Sequence, residues 1–280
     1  MNPDRQSDLL FRGACVQLDV HLRDIDANLA QAQDGIAAAV AQGAELCVLP
    51  EMWTTSFVNG PDDELLAASR RAEERIAAQS ADLGIMVIGS APHAEDGRIY
   101  NRAQIFDRGE VLGEYRKIHL FSPNSEHRYH EPGNAPLVVD TRLGRIGLAI
   151  CYDIRFPELI RYYFYAGAEL LVVPAQWPEA RAVHWRSLLK ARAIENEMYV
   201  IGCNRTGVEP SLKNPDEQQL FPGDSRIIDP MGTVLLAGEG AQAPLLAEIE
   251  PRKVRVMRRA LPIAKDRRPE VYARLWQQGF

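Results

Sequence analysis

The segment ACVQLDVHLRDIDANLAQAQDGIAAAVAQGAELCVLPE, residues 14–51, shows the recurring pattern of this chain. Two short apolar runs, at 14–18 and 45–51, flank a longer segment at 27–42 in which apolar residues recur at helical spacing. Short apolar runs are typical of buried strands, and the longer period is typical of an amphipathic helix. The segment is therefore predicted to form a β-α-β unit.

The same alternation continues along the chain and then changes in the middle. A second helix is predicted over about 62–83, followed by a strand at 85–90. Two hairpins are predicted next, at 99–120 and 136–150. Strands at 170–175 and 198–204 are predicted to flank a helix at about 182–196, and a last hairpin is predicted at 226–237. Strands of mixed direction with helices between them predict a layered α/β sandwich.

The composition is that of an ordinary globular protein, with 46% apolar and 25% charged residues among 280. This balance argues against a disordered, collagen-like or coiled-coil chain. Because no low-complexity linker or repeat separates two halves, we predict one domain over 1–280, with a core at about 10–250 and a C-terminal arm at about 251–280. The arm is too polar for a core, and is expected either to be solvated or to pack on the body or on a second subunit.

Charge and cysteine content narrow the class of partner and the location. The net charge is -6, from 38 acidic and 32 basic residues, so we expect no general attraction to nucleic acid. No window approaches the ~18 uncharged apolar residues of a membrane span, and the N-terminal stretch lacks the apolar core of a signal peptide. Four widely spaced cysteines without a C-x-x-C pair fit neither a disulfide-dense secreted scaffold nor a zinc knuckle. We therefore predict a cytoplasmic protein without a membrane partner.

The sharpest chemical signal is LAICYDIRFPELI at 148–160, where an apolar strand ends at Cys151 and a helix is predicted to follow. A helix N-terminus at this point would favour the thiolate and thus suit a nucleophile. The alternative is that Cys151 is a small buried apolar residue. Cys15, Cys47 and Cys203 lie inside apolar runs and are predicted to be core residues.

Two charged residues also stand at the ends of predicted strands. Glu51 closes the run CVLPE, where a carboxylate has no packing function, and Lys117 lies near the end of VLGEYRK. Strand ends at one edge of an α/β sheet converge on the crevice where ligands bind, so Glu51, Lys117 and Cys151 are predicted to face one another. Taken singly, the glutamate could be a turn residue and the lysine a solvated strand end.

Several stretches closely resemble, in order and spacing, the signature of the nitrilase superfamily of carbon–nitrogen hydrolases. They are LPEMWTTSF, YRKIHLF, the loop glutamate before HRYHEPGN, and CYDIRFPELIR. The resemblance runs from ACVQLDV to FPGDSRIIDPMG and extends to RRALPIAKDRRPEVY. It implies an α/β fold built as a four-layer αββα sandwich, which is completed when two subunits pair as a homodimer.

The resemblance also implies the roles of individual residues. It makes Cys151 the nucleophile, Glu51 the general base, Lys117 the stabiliser of the tetrahedral intermediate and Glu126 a second, positioning carboxylate. The backbone N–H of Tyr152 is expected to supply a further oxyanion donor. Neither a metal nor an organic cofactor is implied.

Within the superfamily, PEMWTTSF resembles the bacterial omega-amidase branch, which hydrolyses the terminal amide of short 2-oxo dicarboxylic acid monoamides such as 2-oxoglutaramate and 2-oxosuccinamate. That branch commonly has glycine at the position of Ser56. Arg155 is expected to hold a substrate carboxylate through bidentate hydrogen bonds, or else to pair with an acid such as Glu158. Trp177 and Trp53 are expected to wall the pocket.

Other functions stay open at this point. They are an aliphatic nitrilase, an N-carbamoyl amino acid amidohydrolase, a deaminated glutathione amidase, and a non-catalytic binding protein on the same fold. The polar insertion at 208–219 is interpreted as either a mobile lid or a surface loop. The helix predicted over 155–167 is rich in Tyr and Phe, which indicates either a dimer interface or ordinary core packing.

Overall fold

The computed structural model describes residues 9–212, 214, 216–240 and 244–277. The strands are β1 Phe11–Cys15, β2 Ala44–Val48, β3 Met86–Glu95, β4 Arg98–Asp107, β5 Glu110–Arg116, β6 Val138–Thr141, β7 Gly144–Leu148, β8 Leu170–Ala175, β9 Tyr199–Asn204, β10 Thr206–Pro210, β11 Gln218–Ile228, β12 Val234–Glu239 and β13 Leu245–Ile249. The α-helices are α1 Ile25–Ala41, α2 Asp63–Leu83, α3 Pro157–Tyr165, α4 Ala182–Asn196, α5 Arg252–Ala260, α6 Ile263–Asp266 and α7 Pro269–Gln277. None of the described helices is both long and apolar enough to cross a membrane.

The strands form two sheets with the same plan. The first has the order β13-β1-β2-β3-β4-β5, and the second has the order β10-β11-β9-β8-β7-β6, with β12 also paired to β11. In each sheet three central strands are parallel, β1 to β3 in the first and β7 to β9 in the second, and the outer strands are antiparallel. The carboxyl ends of parallel strands lie at one edge of a sheet, which is where ligands bind in α/β folds.

Side chains that alternate along the strands build the layers. Along β2, Leu46 and Val48 belong to the core between the two sheets, whereas Cys47 packs under the helices with Ile36 of α1 and Ile76 of α2. On the other side, α3 and α4 cover the second sheet. Burial of each large aliphatic side chain contributes about 1.5–3 kcal/mol.

One chain therefore supplies all four layers of the αββα sandwich. The expectation that the sandwich is completed when two subunits pair is wrong, because each sheet already buries one face against the other sheet and covers its opposite face with two helices of the same chain.

Local signals explain why the helix boundaries agree with the sequence. The helix predicted over about 62–83 is α2: the Asp62 side chain accepts a hydrogen bond from the backbone N–H of Leu65 at 2.8 Å, and Gly84 ends the helix with φ of 68°. An acidic N-cap and a left-handed glycine satisfy the free backbone groups at the two ends of a helix. The helix predicted at 182–196 is α4.

Two predicted segments differ from the structure. The strand predicted up to residue 120 ends at Arg116, which leaves Lys117 in the following loop. The insertion at 208–219 lies mostly in the hairpin of β10 and β11, where Val208 pairs with Leu220; Lys213 and Pro215 lie outside the described residues.

The C-terminal arm begins with α5, which packs on the body of the same chain. Val254 is fully buried, and Arg255 forms an ion pair with Glu169 at 2.6 Å. The Arg258 guanidinium donates a hydrogen bond to the backbone carbonyl of Ala168 at 2.6 Å. Of the two expectations for this arm, the structure shows packing on the body for α5.

Candidate active site

Glu51 follows β2 and is fully buried. Its Oε1 accepts hydrogen bonds from Lys117 Nζ at 2.7 Å and Asn101 Nδ2 at 2.8 Å, and its Oε2 accepts one from the backbone N–H of Gln176 at 3.1 Å. Burial raises the pKa of Glu51, although the positive charge of Lys117 works in the opposite direction. A carboxylate with a raised pKa that is held on both oxygens is suited to accept and return a proton.

Lys117 is 1% exposed and lies between two carboxylates. Its Nζ donates to Glu51 and also to both oxygens of Glu126, at 3.0 and 2.9 Å. Burial opposes the charge of the lysine, but the carboxylates of Glu126 and Glu51 outweigh burial and raise the pKa of Lys117. The ammonium group is therefore a permanent cation in the site.

Glu126 lies in the loop after β5, on a short 3₁₀ turn over Glu126–Arg128. Burial works to raise its pKa, but the charge of Lys117 and a 2.6 Å hydrogen bond from the backbone N–H of Phe121 lower it overall. The two buried carboxylates are thus shifted in opposite directions, which is a typical way to separate a proton acceptor from a fixed anion.

Cys151 begins a 3₁₀ turn over Cys151–Arg155, shortly after β7 ends at Leu148, and has φ of 44°. The left-handed backbone of a non-glycine residue is strained, and such strain is found at functional sites. Its Sγ lies 3.8 Å from the carbonyl oxygen of Gln176.

The expected stabilisation of the thiolate at a helix N-terminus is not what the structure shows. Burial raises the pKa of Cys151 well above its usual value, and the nearby carboxylate of Glu51 raises it further. The helix α3 starts only at Pro157, too far along the chain to cap the sulfur. Cys151 is therefore a neutral thiol at rest, which needs a base to become a nucleophile.

The other cysteines were predicted to be core residues, and this is confirmed. Cys15 in β1, Cys47 in β2 and Cys203 in β9 are fully buried, and all are free thiols. Burial raises the pKa of Cys47 to about 12.

Asp153 fixes the turn that carries Cys151, and sequence reasoning missed it. Its Oδ2 accepts hydrogen bonds from the backbone N–H of Ile150 at 2.9 Å and from the Tyr115 hydroxyl at 2.8 Å, while Oδ1 accepts from the backbone N–H of His119 at 2.9 Å. The carboxylate thereby ties the turn after β7 to the segment after β5. Its position, two residues after the cysteine in CYDIR, is the signal that could have identified it.

Glu51, Lys117, Glu126 and Cys151 line one cavity. The strand-end positions predicted that Glu51, Lys117 and Cys151 face one another, and the family resemblance added Glu126. Three of the four residues expected to bind substrate also line it, namely Tyr152, Arg155 and Trp177. Apolar and polar side chains complete the wall: Phe57, Phe121, Tyr129, His130, Gln176, Arg181, Glu209, Leu212 and Phe221. Burial lowers the pKa of His130, so its ring adds no positive charge to the wall.

Trp53 does not line this cavity, so the expectation that it walls the pocket is wrong. It is 2% exposed and packs in the core between the first sheet and the helices α1 and α2. A tight turn follows β2 from Glu51 onwards, and it directs the indole away from the carboxyl group, against Leu49 and Gly89.

Two arginines line the mouth of the cavity. The guanidinium of Arg155 lies 4.8 Å from the ring centre of Trp177, and its Nη2 lies 3.1 Å from Nδ1 of His184. Burial is the largest cause that lowers the pKa of Arg155, and the positive charge of Arg181 lowers it further. The two cations therefore lie near each other. The contacts of the Arg155 guanidinium with described residues are with His184 and with the rings of Tyr152 and Trp177, so the ion pair with Glu158 is not observed among them.

Asn101 and Gln176 also hold Glu51, and the sequence analysis did not select them. Asn101 lies in the middle of β4 and is fully buried, and Gln176 directly follows β8. The strand-end rule that selected Glu51 applies equally to Gln176.

Across the described residues, no group of three or more His, Cys, Asp or Glu side chains is placed to hold a metal ion.

The comparison with known proteins agrees with this geometry. The family model for carbon-nitrogen hydrolases matches residues 12–259. The chain belongs to the carbon-nitrogen hydrolase family. The match includes every charged residue of this cavity and ends within α5.

Relatives of this carbon-nitrogen hydrolase include two bacterial amidases. A 2-oxoglutaramate amidase from Bacillus subtilis (strain 168) is 36% identical over 262 residues, which cover 92% of this chain and 98% of the relative. Omega-amidase YafV from Escherichia coli (strain K12) is 33% identical over 229 residues, which cover 80% of this chain and 84% of the relative.

Solved structures share the fold. A carbon-nitrogen hydrolase from Helicobacter pylori G27 superposes with a TM-score of 0.86 at 25% identity, covering 95% of this chain and 98% of its own. An amidase from Nesterenkonia sp. AN1 superposes with a TM-score of 0.80 at 27% identity, covering 95% and 99%; in that structure acrylamide has added to the active-site cysteine.

Proposed function

We propose that this protein hydrolyses the terminal amide of small 2-oxo dicarboxylic acid monoamides, of the 2-oxoglutaramate and 2-oxosuccinamate type, and releases ammonia. The observation that carries the proposal is the buried Glu51–Lys117–Glu126 cluster beside the neutral thiol of Cys151, in a cavity whose mouth has two arginines. Relatives that are named 2-oxoglutaramate amidase and omega-amidase support the substrate class.

In the first half of the reaction, Glu51 accepts the proton of the Cys151 thiol and the sulfur attacks the amide carbon. The developing oxyanion receives hydrogen bonds from Lys117 Nζ and from the backbone N–H of Tyr152. Glu51 then gives its proton to the leaving nitrogen, the C–N bond breaks, and ammonia departs from a thioester on Cys151.

In the second half, Glu51 accepts a proton from water, and the oxygen of that water attacks the thioester carbon. The C–S bond breaks, the proton returns to the sulfur, and the carboxylic acid product leaves. Glu126 keeps its negative charge throughout and holds Lys117 in place, because its lowered pKa keeps it ionised.

The two arginines at the mouth support an anionic substrate. Among the described residues, the partners of the Arg155 and Arg181 guanidinium groups in this cavity are His184 and aromatic rings rather than carboxylates, and a substrate carboxylate would supply an anionic partner through charge-assisted hydrogen bonds. Lys117 is already paired with two carboxylates, so we assign it to the reacting carbonyl and not to the substrate carboxylate.

A panel of ammonia-release assays tests the proposal, with Cys151→Ala as the blank. We expect turnover of 2-oxoglutaramate and 2-oxosuccinamate, and a much lower kcat/KM for butyramide, an aliphatic nitrile, an N-carbamoyl amino acid and deaminated glutathione. Higher activity on a nitrile, a carbamoyl compound or deaminated glutathione would move the assignment to that class. If none of these compounds is turned over, the result would favour a non-catalytic binding protein.

Arg155→Leu should separate substrate recognition from chemistry. Loss of a charge-assisted contact worth about 1.5–3 kcal/mol should raise KM for 2-oxoglutaramate about tenfold or more, with kcat changed by only a few fold. KM for neutral butyramide should stay as it is in the wild type. Arg71→Leu, on the exposed face of α2, is the matched control, and an equal rise in both KM values would contradict a role in carboxylate binding.

We further propose that each chain forms one catalytic domain over 1–280 and that the protein is a cytoplasmic homodimer without nucleic-acid or membrane partners. Tyr162 and Tyr165 of α3 are 50% and 38% exposed, and large exposed aromatic side chains support an interface on this helix. The net charge of -6 supports the absence of a nucleic-acid partner. Sedimentation velocity should give a dimer for the wild type and a weaker dimer for Tyr162→Lys; a monomeric wild type would contradict it.

A further inference from the structure

A second buried cation lies beside the catalytic cluster. Arg205 directly follows β9 and is 1% exposed. Its Nη1 donates hydrogen bonds to Glu209 Oε2 at 2.7 Å, Ser56 Oγ at 3.1 Å and Gln176 Oε1 at 3.2 Å, and its Nη2 donates to the carbonyl of Val20 at 2.5 Å. One guanidinium therefore joins segments that follow three different strands.

Gln176 connects this cation to Glu51. Because its Oε1 accepts from Arg205, its Nε2 faces the other way and donates to the backbone carbonyl of Glu51 at 2.8 Å. The backbone N–H of the same glutamine donates to Glu51 Oε2 at 3.1 Å. Lys117 and Asn101 hold only Oε1, so Gln176 is the residue that orients the second oxygen.

Ser56 stands in a conformation that favours glycine, with φ of 55°. Its hydroxyl compensates for this backbone by lying 2.8 Å from Glu209 Oε2 and 3.2 Å from Gln176 Oε1. A hydroxyl has one hydrogen to donate, and the shorter contact, to an ionised acceptor, is the stronger of the two. The departure from glycine at this position therefore adds a contact that glycine would lack.

Glu209 belongs to β10 and lines the active-site cavity. Its carboxylate is held by both Arg205 and Ser56. The hairpin of β10 and β11 is thus joined through side chains to the residue that orients the proposed base.

We propose that Ser56, Arg205 and Glu209 form a positioning network that holds Gln176, and through Gln176 the carboxyl group of Glu51, in the geometry needed for proton transfer with Cys151. The inference rests on the proposed function of Glu51 as the general base. Ser56 and Arg205 contact the Gln176 side chain directly, and Glu209 contacts both of them, so we assign the three residues a positioning role that acts through Gln176.

The test compares Ser56→Gly with Ser56→Ala. Both variants lack the hydroxyl, but only alanine keeps the strained backbone, so their thermal stabilities should differ while their kinetics agree. We expect kcat for 2-oxoglutaramate to fall about tenfold in both, because small misplacement of a catalytic group is costly, with KM changed less than twofold. The acid limb of kcat/KM should move to higher pH, since a weaker hydrogen bond to ionised Glu51 raises its pKa.

Glu209→Gln removes the charge that Arg205 and Ser56 hold and should give the same change in kcat and pH profile. Glu217→Gln removes a carboxylate from the same hairpin, where Glu217 contacts Asn214 at the surface, and should behave as the wild type. A crystal structure of Ser56→Gly should show a longer distance from Gln176 N to Glu51 Oε2.

The outcomes separate this inference from the proposed function. If the wild type shows no Cys151-dependent turnover, the amidase assignment is rejected. The crystal structure of Ser56→Gly would still show whether Ser56 holds Gln176 and Glu51 in place. Wild-type kcat, pH profile and Glu51 geometry in both Ser56 variants would overturn the network.

Discussion

The molecule buries two carboxylate–cation pairs that look alike and lie in different surroundings. Glu51 with Lys117 lines the cavity beside a thiol, whereas Glu73 with Arg102 is enclosed between α2 and the strands β4 and β5. Burial raises the pKa of both glutamates, in each case against the charge of the cation. A perturbed carboxylate therefore does not by itself mark an active site, and access to a cavity and a nucleophile must be added.

The cations differ in a way that fits the two surroundings. Arg102 presents a planar fork that binds Glu73 at 2.9 Å, Glu114 at 3.0 Å and Gln104 at 2.8 Å, and such a geometry locks neighbouring elements together. Lys117 is a compact charge on a flexible stem, which can redirect an N–H towards a developing oxyanion without breaking the whole cluster. We expect lysine in the reactive pair and arginine in the structural one for this reason.

Neutralising each glutamate in turn should give the largest difference between the two pairs. Glu51→Gln should lower kcat for 2-oxoglutaramate by about 10³-fold, within the range known for loss of a general base. Glu73→Gln keeps the shape of a residue that lies outside the cavity, so its kcat should stay within twofold of the wild type. Steady-state ammonia release measures kcat of both variants. Similar losses of kcat in the two variants would contradict the different roles assigned to Glu51 and Glu73.

Removal of the cations should give a smaller loss of turnover and a contrasting loss of stability. Lys117→Ala should lower kcat by at least about 10²-fold because it deletes an oxyanion donor. Arg102→Ala should instead lower the free energy of unfolding by about 3–5 kcal/mol, because Glu73 is left buried without its partner. Urea unfolding beside the ammonia assay measures the pair; a folded Arg102→Ala protein with a 10²-fold loss of kcat would contradict the structural role.

The stability of the protein should also depend on pH through Glu73. The pKa of Glu73 rises from 4.5 to about 7 because of burial, so the folded protein binds a proton more tightly than the unfolded chain. Its contribution is present in full below pH 4.5 and is lost as pH rises through 7, a change of about 3 kcal/mol. Glu73→Gln should remove this slope in urea unfolding between pH 5 and 8. Glu74→Gln, an exposed neighbour, should keep it, and an unchanged slope in Glu73→Gln would reject the assignment.

The positions of the main site residues were predictable because they follow from the ends of strands. Glu51, Lys117 and Cys151 each come directly after an apolar run or close to its end, and parallel strands bring such ends to one edge. Glu126 required the family resemblance, since a glutamate in a polar loop has no periodic signal. The helices α2 and α4 were predictable from their apolar spacing, and α2 also from the residues at its two ends.

Other features depend on how the chain turns after a strand, which the sequence pattern does not contain. Trp53 lies two residues from Glu51, yet the turn sends its indole into the core under α1 and α2. A thiolate at Cys151 was expected only if a helix began there; the α-helix starts six residues later, and burial raises the pKa of the thiol instead. Asn101 required tertiary contacts, since a buried amide inside a strand appears in the sequence as an ordinary polar residue, whereas the position of Gln176 directly after β8 was open to the strand-end rule.

The protonated state of Cys151 also bears on how the protein withstands oxidants. Peroxides react with cysteine as the thiolate, and the resulting sulfenic acid is the first step towards irreversible damage. A sulfur that stays protonated until a substrate occupies the cavity is exposed to this reaction for only a short part of each catalytic cycle. Because burial raises the pKa of Cys151, we expect the resting thiol to react with hydrogen peroxide more slowly than a thiolate would.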